Sequence, residues 1–238
     1  MKLFTAILIA LVACLGSARN SSSNSSRGNK KRGKKGRRRT MTLTITNLAF
    51  QQPFSPFFVM VHDDSIAPLY VMGEAADPEL ALLAEDGDAS LLLELYNGPL
   101  GPAPGVDDAF IFNAEAPYFG GDTLEIEVEV SRQYPLVTIA SMPINTNDCF
   151  VALNGVEVYN GLVIDAPGLD AGSEINNERC DSIPGPACAD SELTGNMADG
   201  DGEGFVHVHR GFFGIGGELS AQGYDWRNPM MRVEVSRS

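Results

Sequence analysis

The stretch TLEIEVEVS (residues 123–131) alternates strictly between apolar and polar side chains. Successive side chains of a β-strand point to opposite faces, so this period of two predicts a strand with one buried and one solvated face. The same alternation occurs in MTLTITNL (41–48), FFVMVHD (57–63), FVHVHRG (205–211) and MRVEVS (231–236). The chain is therefore predicted to consist mainly of half-buried strands.

Two other segments are continuously apolar and predict strands that are buried on both faces: PLVTIAS (135–141) and CFVAL (149–153). Short helices are predicted for DPELALLAED (77–86), which opens with an Asp-Pro start signal, and for ASLLLELY (89–96). Strands and helices do not alternate along the chain. The pattern predicts an all-β fold, an antiparallel β-sandwich of about eight strands with short helical insertions.

The first 39 residues differ in composition from the rest of the chain. Residues 1–18 contain one Lys, an apolar run and small residues ending at Ala18, and they predict a secretory signal peptide and a secreted protein. A bacterial lipobox ending at Cys14 is the alternative. Residues 19–39 are rich in Ser and Asn, then basic, with no apolar residue, so they predict a disordered arm before a domain at 40–238.

The arm carries two kinds of signal. Asn20 and Asn24 each begin an Asn-Ser-Ser sequon, which predicts glycosylation in a eukaryotic host. The basic run RGKKGRRR (32–39) fits three interpretations. It would be a protease-processing site before Thr40, an arm that binds anionic glycans, mineral or membrane, or a tail held against the acidic domain.

Charge is divided sharply between the two parts. All 11 Lys and Arg of the first 39 residues lie in a segment without Asp or Glu. From Thr40 onward the chain has 6 Arg, no Lys and all 31 acids, a formal charge of −25. Such a domain does not bind nucleic acid on its own, and divalent cations are its natural partners. No segment after the signal peptide approaches 18 apolar residues, so no membrane span is predicted.

Cysteine usage fits an extracellular protein. Cys180 and Cys188, in RCDSIPGPAC, enclose a Pro-Gly-Pro turn and are predicted to form a disulfide. Cys149 is then the odd cysteine of the domain. It is predicted to be a buried thiol on a strand, with intermolecular pairing as the alternative.

Three acids are candidates for a metal site. NTNDCFVALNG places Asp148 at the start of a strand, and GLDAGSEINNE carries Asp170 and Glu174 around a Gly-containing turn. Three carboxylates converging from two loops would repel one another by about 3 kcal/mol per close pair. A bound Ca²⁺ removes that penalty, since it accepts six to eight oxygen ligands in irregular geometry. A solvated acidic loop is the alternative from spacing alone.

A family resemblance favours the calcium interpretation. The chain resembles the spondin N-terminal domain family, in family order over nearly all of residues 40–238, in these segments: PFSPFFVMVHD, GEAADPELALLAEDGD, TNDCFVALNG, LDAGSEINNE, IPGPAC, GFVHVHRGFFGIG and YDWRNPMMRVEV. The resemblance implies an eight-stranded, C2-like sandwich with a calcium site at Asp148, Asp170 and Glu174. The first hypothesis is therefore a secreted, non-catalytic, calcium-binding adhesion or extracellular-matrix module whose partner is an extracellular protein or anionic glycan.

Two positions depart from the family pattern. Residue 174 is Glu where the animal proteins tend to carry Asp, and Cys149 stands between Asp148 and the aromatic Phe150. The additional methylene changes the reach of the carboxylate, which bears on affinity for the ion.

The histidines form a second constellation. His207 and His209 alternate along a predicted strand, so both rings project from one face. With His62, the only other His, and Asp63 or Asp64 nearby, they would make a transition-metal site, and the protein would then be a His-ligated metalloenzyme. The alternative is that all three are structural imidazoles held by hydrogen bonds.

Other catalytic signatures are absent from the sequence. It has no Gly-x-Ser-x-Gly elbow and no P-loop, and GFFGIGGE lacks the strand-then-helix context of a nucleotide-binding loop. The protein is therefore predicted not to be an enzyme. A third hypothesis makes the domain a scaffold whose basic arm binds anionic glycans or mineral.

Overall fold

A computed structural model describes residues 37–112, 119–189 and 202–238. The predicted signal peptide, most of the arm and both sequons, at Asn20 and Asn24, lie outside the described residues. The described residues form mostly antiparallel β-sheets with two short α-helices, which confirms the all-β prediction. Neither helix in these ranges is long and apolar enough to cross a membrane.

The regular elements of the described residues are two α-helices, one 3₁₀ turn and twelve β-strands. The helices are α1 (Pro78–Asp86) and α2 (Ser90–Tyr96), both at the predicted places, and a 3₁₀ turn covers Pro186–Cys188. The strands in chain order are β1 (Arg39–Asn47), β2 (Phe57–His62), β3 (Asn97–Gly98), β4 (Gly101–Pro102), β5 (Val106–Phe112), β6 (Thr123–Val130), β7 (Leu136–Ser141), β8 (Cys149–Glu157), β9 (Val163–Ala166), β10 (Gly168–Asp170), β11 (His207–Val208) and β12 (Met231–Arg237).

Ten of these strands form two larger sheets. One has the order β6-β1-β12-β9 and the other the order β11-β10-β8-β7-β2-β5, and every pairing in them is antiparallel. β3 and β4 pair only with each other. In the four-stranded sheet, Leu43 on β1 lies opposite Ile126 on one side and Val235 on the other.

A single apolar cluster joins the two larger sheets. It contains alternate residues of the four-stranded sheet, such as Leu43 and Ile126, together with Val59, Ile139 and Val151 of the six-stranded sheet, all buried. Burying one such side chain stabilises the fold by about 1.5 to 3 kcal/mol. The sheets therefore pack through a shared core, while the outer face of β6 presents its glutamates to solvent.

The six-stranded sheet is covered on its other face as well. Phe58 and Met60 of β2 belong to a second apolar cluster with Leu80 and Leu83 of α1 and Leu92 of α2. All six residues of β2 are consequently buried. The alternation read in residues 57–63 predicted one solvated face, and that prediction was wrong because the helices cover the face.

Three other differences from the sequence prediction concern element bounds. Strands β3, β4, β5, β9 and β10 were not predicted, and the segment FVHVHRG is a strand only at His207–Val208. β1 begins at Arg39, so the predicted arm boundary at Thr40 falls inside a strand. Arg38, the residue before β1, is also attached to the domain, because its guanidinium group forms ion pairs with Asp107 at 2.7 Å and Glu129 at 3.0 Å.

The cysteines lie as predicted. Cys180 and Cys188 form a disulfide with an S–S distance of 2.07 Å. Cys149 is a free, fully buried thiol at the start of β8.

Candidate metal centre

Two aspartates meet where β8 begins and β10 ends. Cys149 on β8 is opposite Asp170 on β10, and the backbone N–H of Ala171 donates to the carbonyl oxygen of Asp148 at 3.0 Å. Antiparallel pairing thus brings Asp148 and Asp170 to one corner of the sheet. Both side chains are 0% exposed.

The loop after β10 wraps around Asp148. Its Oδ2 atom accepts hydrogen bonds from the backbone N–H groups of Ser173, at 2.8 Å, and Glu174, at 3.0 Å. Its Oδ1 atom accepts one from Asn147 Nδ2 at 2.7 Å. Three donors hold the carboxylate in one orientation, which favours its ionised form although the site is buried.

Two glycines allow a second segment to approach this loop. Gly172 has a φ of 69°, and a Cβ there would collide with the backbone of Phe205. A Cβ on Gly202 would collide with the carbonyl oxygen of Gly172, and the N–H of Gly204 donates to that oxygen at 2.8 Å. The close contact of these backbones brings Glu203 beside Asp170.

Asp170, Glu203 and His207 form the group of potential metal ligands found among the described residues. One ligand atom from each lies within 4.8 Å of the others. His207 Nε2 is 3.4 Å from Asp170 Oδ1 and 3.9 Å from Glu203 Oε2. The side-chain amide of Asn176 donates to Asp170 Oδ2 at 2.7 Å and to Glu203 Oε1 at 3.0 Å, so it holds the two acids together.

The orientation of the His207 ring suits a metal ligand. Its Nδ1 lies 3.1 Å from the carbonyl oxygen of Val208, an acceptor only, so Nδ1 carries the hydrogen of the neutral ring. Nε2, which is shielded from water, then directs a lone pair towards the carboxylates of Asp170 and Glu203. Only a proton or a metal cation makes that arrangement attractive, and metal-binding histidines commonly donate their second N–H to a backbone carbonyl.

Burial changes the acid–base behaviour of the whole corner. It raises the pKa of Asp148 to about 7, with a further contribution from the negative charge of Asp170. Burial also raises the pKa of Asp170, against the opposing effects of the Asn176 hydrogen bond and the nearby His207. The pKa of the Cys149 thiol is raised well above its usual value, first by burial and then by the two aspartates. Negative charge is therefore costly here unless a cation shares the site.

The three predicted calcium ligands lie in this corner, and the geometry adds two residues. The structure brings Asp148 and Asp170 together and buries Glu174, at 3% exposure, with its N–H on Asp148. Within the described residues, the close group of ligand atoms contains Asp170 with Glu203 and His207. The sequence prediction did not include Glu203, since it comes near Asp170 through the close contact of the Gly172 and Gly202 backbones, which no local pattern reveals.

The structure does not bring the three histidines to one point. His62 lies on β2, four strands from β11 in the sheet order, which corresponds to about 19 Å. Its Nδ1 contacts the Asp63 carbonyl oxygen at 2.8 Å, and its Nε2 contacts the Thr138 hydroxyl at 2.9 Å. These contacts make His62 a structural imidazole and remove it from the predicted site.

His209 is also a structural residue. Its Nδ1 accepts a hydrogen bond from the Gly211 N–H at 3.0 Å, and its ring lies 5.1 Å from that of Trp226. Burial lowers the pKa of His209 to about 3, so the ring is neutral at ordinary pH. Of the three predicted histidines, only His207 faces acids in the arrangement of a ligand.

No protein-family model matches the chain, and a search of curated proteins finds no match either. The arguments for function therefore come from the geometry of this corner, together with the resemblance seen in the sequence.

Proposed function

We propose that the protein is a secreted, non-catalytic module that binds a divalent cation at the corner of Asp148 and Asp170. The observation that carries the proposal is that these two carboxylates are fully buried beside each other, with Glu203 and His207 facing Asp170. Buried like charges are strongly unfavourable, and a cation between them removes that cost. The bound ion would hold the loops of this corner rigid for contact with an extracellular protein or anionic glycan.

Calcium is the ion that most of the donors favour. Asp148, Asp170, Glu174 and Glu203 offer carboxylate oxygens from three chain segments, and calcium tolerates such irregular sets. The resemblance to the spondin N-terminal domain family supports calcium, secretion and a role in adhesion or matrix contact. With a Kd of about 10⁻⁴ M, typical of extracellular modules, calcium at about 1 mM would stabilise the fold by roughly 1.4 kcal/mol.

A second candidate is a transition-metal centre, favoured by one observation, the orientation of His207. Two carboxylates and an imidazole from Asp170, Glu203 and His207 make a donor set that zinc accepts, with a fourth position left open. This ligand set differs from the one in the metalloenzyme hypothesis. It keeps His207, but has Asp170 and Glu203 in the places that the hypothesis gave to His62 and His209.

Calorimetry separates the candidates. Chelator-treated protein is melted alone, with about 1 mM calcium and with stoichiometric zinc, together with Asp170→Asn, His207→Gln and the control Asp108→Asn, which removes an exposed acid from β5. For calcium, we expect a higher melting temperature in wild type, His207→Gln and the control, and no shift in Asp170→Asn. A shift with zinc alone that His207→Gln abolishes would favour the second candidate. No shift with either ion in wild type would refute the proposed function.

A further inference from the structure

Four arginines line one cavity at the end of the four-stranded sheet. They are Arg37, Arg39, Arg132 and Arg237, and the cavity has a volume of about 270 Å³. Concentrated positive charge is unexpected in a domain that carries 31 acids and 6 Arg from Thr40 onward.

The strand pattern places these arginines together. On β12, the core-facing residues Val233 and Val235 are followed, at the same period of two, by Arg237. On β1, the core-facing row that contains Met41 continues towards the chain start through Arg39. Arg132 lies two residues after Val130, which ends β6. Since β6, β1 and β12 are antiparallel neighbours, the apolar rows of all three give way to arginine at the same end of the sheet.

The other arginines of the described residues have protein partners. Arg38, Arg179, Arg227 and Arg232 each contact an aspartate, and Arg210 donates to the carbonyl oxygen of Asn176.

In residues 37–112, 119–189 and 202–238, by contrast, the guanidinium groups of the four arginines in the cavity form no ion pair. Acids are abundant in this chain, and the four arginines left without one are those that share a cavity. A guanidinium group binds the oxygens of a sulfate or phosphate ester through two parallel hydrogen bonds.

We propose that this cavity binds sulfate groups of an extracellular sulfated glycan. An extended ligand is favoured over a small free anion because the basic run RGKKGRRR (32–39) leads directly into Arg37 and Arg39, so that further cations precede the cavity along the chain. The choice of a glycan rests on the predicted secretion. The site involves none of the acids of the metal centre, so it stands or falls independently of the bound ion.

The test measures the affinity of the full secreted chain for a heparin hexasaccharide by titration calorimetry. The probe variant is Arg132→Gln with Arg237→Gln, which removes two charges from the folded part of the cavity. The control is Arg227→Gln with Arg232→Gln, which removes the same charge from two exposed arginines elsewhere. We expect the probe variant to bind at least about tenfold more weakly, since losing one charge-assisted contact corresponds to about that factor, and the control to bind nearly as wild type.

Further ligands decide the chemistry. Desulfated heparin of the same length should not bind, and inorganic sulfate or phosphate alone should bind far more weakly than the hexasaccharide.

Equal losses of affinity in the probe and control variants would overturn the proposal. Unchanged binding by the probe variant would also overturn it, since the arm alone would then hold the glycan. Single-stranded DNA of matched charge that binds as tightly would also overturn it, because the cavity would then respond to charge without selecting a sulfated glycan. Melting curves of both variants, with and without calcium, report folding and the metal centre separately.

Discussion

Asp170 lies directly opposite His207 in the pairing of β10 with β11, and His207 Nε2 is 3.4 Å from Asp170 Oδ1. These strands have only three and two residues, so few backbone hydrogen bonds hold the acid against the imidazole. A cation bound between the Asp170 carboxylate and the His207 imidazole would stabilise this short pairing of β10 with β11. Ion binding and local order at this sheet edge are therefore expected to depend on each other.

The first prediction concerns Asp148 in chelator-treated protein. Its pKa is raised to about 7 in the folded protein, above the value of about 3.9 in an unfolded chain, so the folded state binds more protons between these values. Stability contributed by this group is present at low pH and is lost as the pH rises through 7. We therefore expect the free energy of unfolding of Asp148→Asn, measured with denaturant, to rise relative to that of wild type by about 1.4 kcal/mol per pH unit from pH 4 to 7. A constant difference would contradict the buried, protonated acid.

His209 should show the opposite dependence. Its folded pKa of about 3 lies below the unfolded value of about 6.5, so its contribution to stability is present above pH 6.5 and is lost as the pH falls. In His209→Asn, the amide oxygen replaces Nδ1 as acceptor for the Gly211 N–H and removes the titration. The difference in free energy of unfolding between wild type and His209→Asn should narrow by about 1.4 kcal/mol per pH unit as the pH falls from 6.5 to 4. A gap that stays constant would show that His209 is not held neutral.

A glycine pair tests the close approach of the two loops. Gly172→Ala puts a Cβ into the backbone of Phe205 and also strains a φ of 69°. Gly161→Ala imposes similar strain, at a φ of 88°, with nothing within 4 Å of the added Cβ. We expect both variants to lose about 1 kcal/mol from strain, and Gly172→Ala to lose about 1 to 3 kcal/mol more together with its stabilisation by calcium. Equal losses in urea unfolding would mean that the loop contact does not matter.

The disulfide should stabilise the fold through its small loop. Cys180 and Cys188 are 8 residues apart, and closing such a loop contributes about 2.5 kcal/mol in the chain-entropy model. The double variant Cys180→Ala with Cys188→Ala should lose about that amount in urea unfolding without reductant. Reductant should lower the free energy of unfolding of wild type to that of the double variant and leave the stability of the variant unchanged. If reductant destabilises the variant as well, another sulfur is involved.

The sequence predicted the elements that have one solvated face. In β6 every second residue is a glutamate or threonine facing water, so the period of two is visible in the letters. β5 escaped prediction because Asp107 and Asp108 interrupt its apolar pattern, although Asp107 is satisfied by Arg38. In β2 the solvated face was predicted wrongly, since nothing local reveals that two helices lie over it.

The site was predictable only in part for a related reason. Asp148, Asp170 and Glu174 were predicted as ligands from two acidic segments and a family resemblance, and the structure places all three in one corner. Glu203 lies in a Gly-rich segment whose letters indicate a turn, and its closeness to Asp170 depends on the backbone contact between Gly172 and Gly202 and on the pairing of two very short strands nearby. Such pairing follows from tertiary packing, which a local pattern does not encode.

The position of Cys149 has one more consequence. The sulfur is enclosed between the two sheets, beside Gly168, and its raised pKa keeps it as an unreactive thiol. An alkylating reagent can reach it only when β8 parts from its neighbour. The rate at which the native Cys149 is alkylated would therefore report how often this corner of the sheet, which carries the two aspartates, opens. No cysteine would have to be introduced for the measurement.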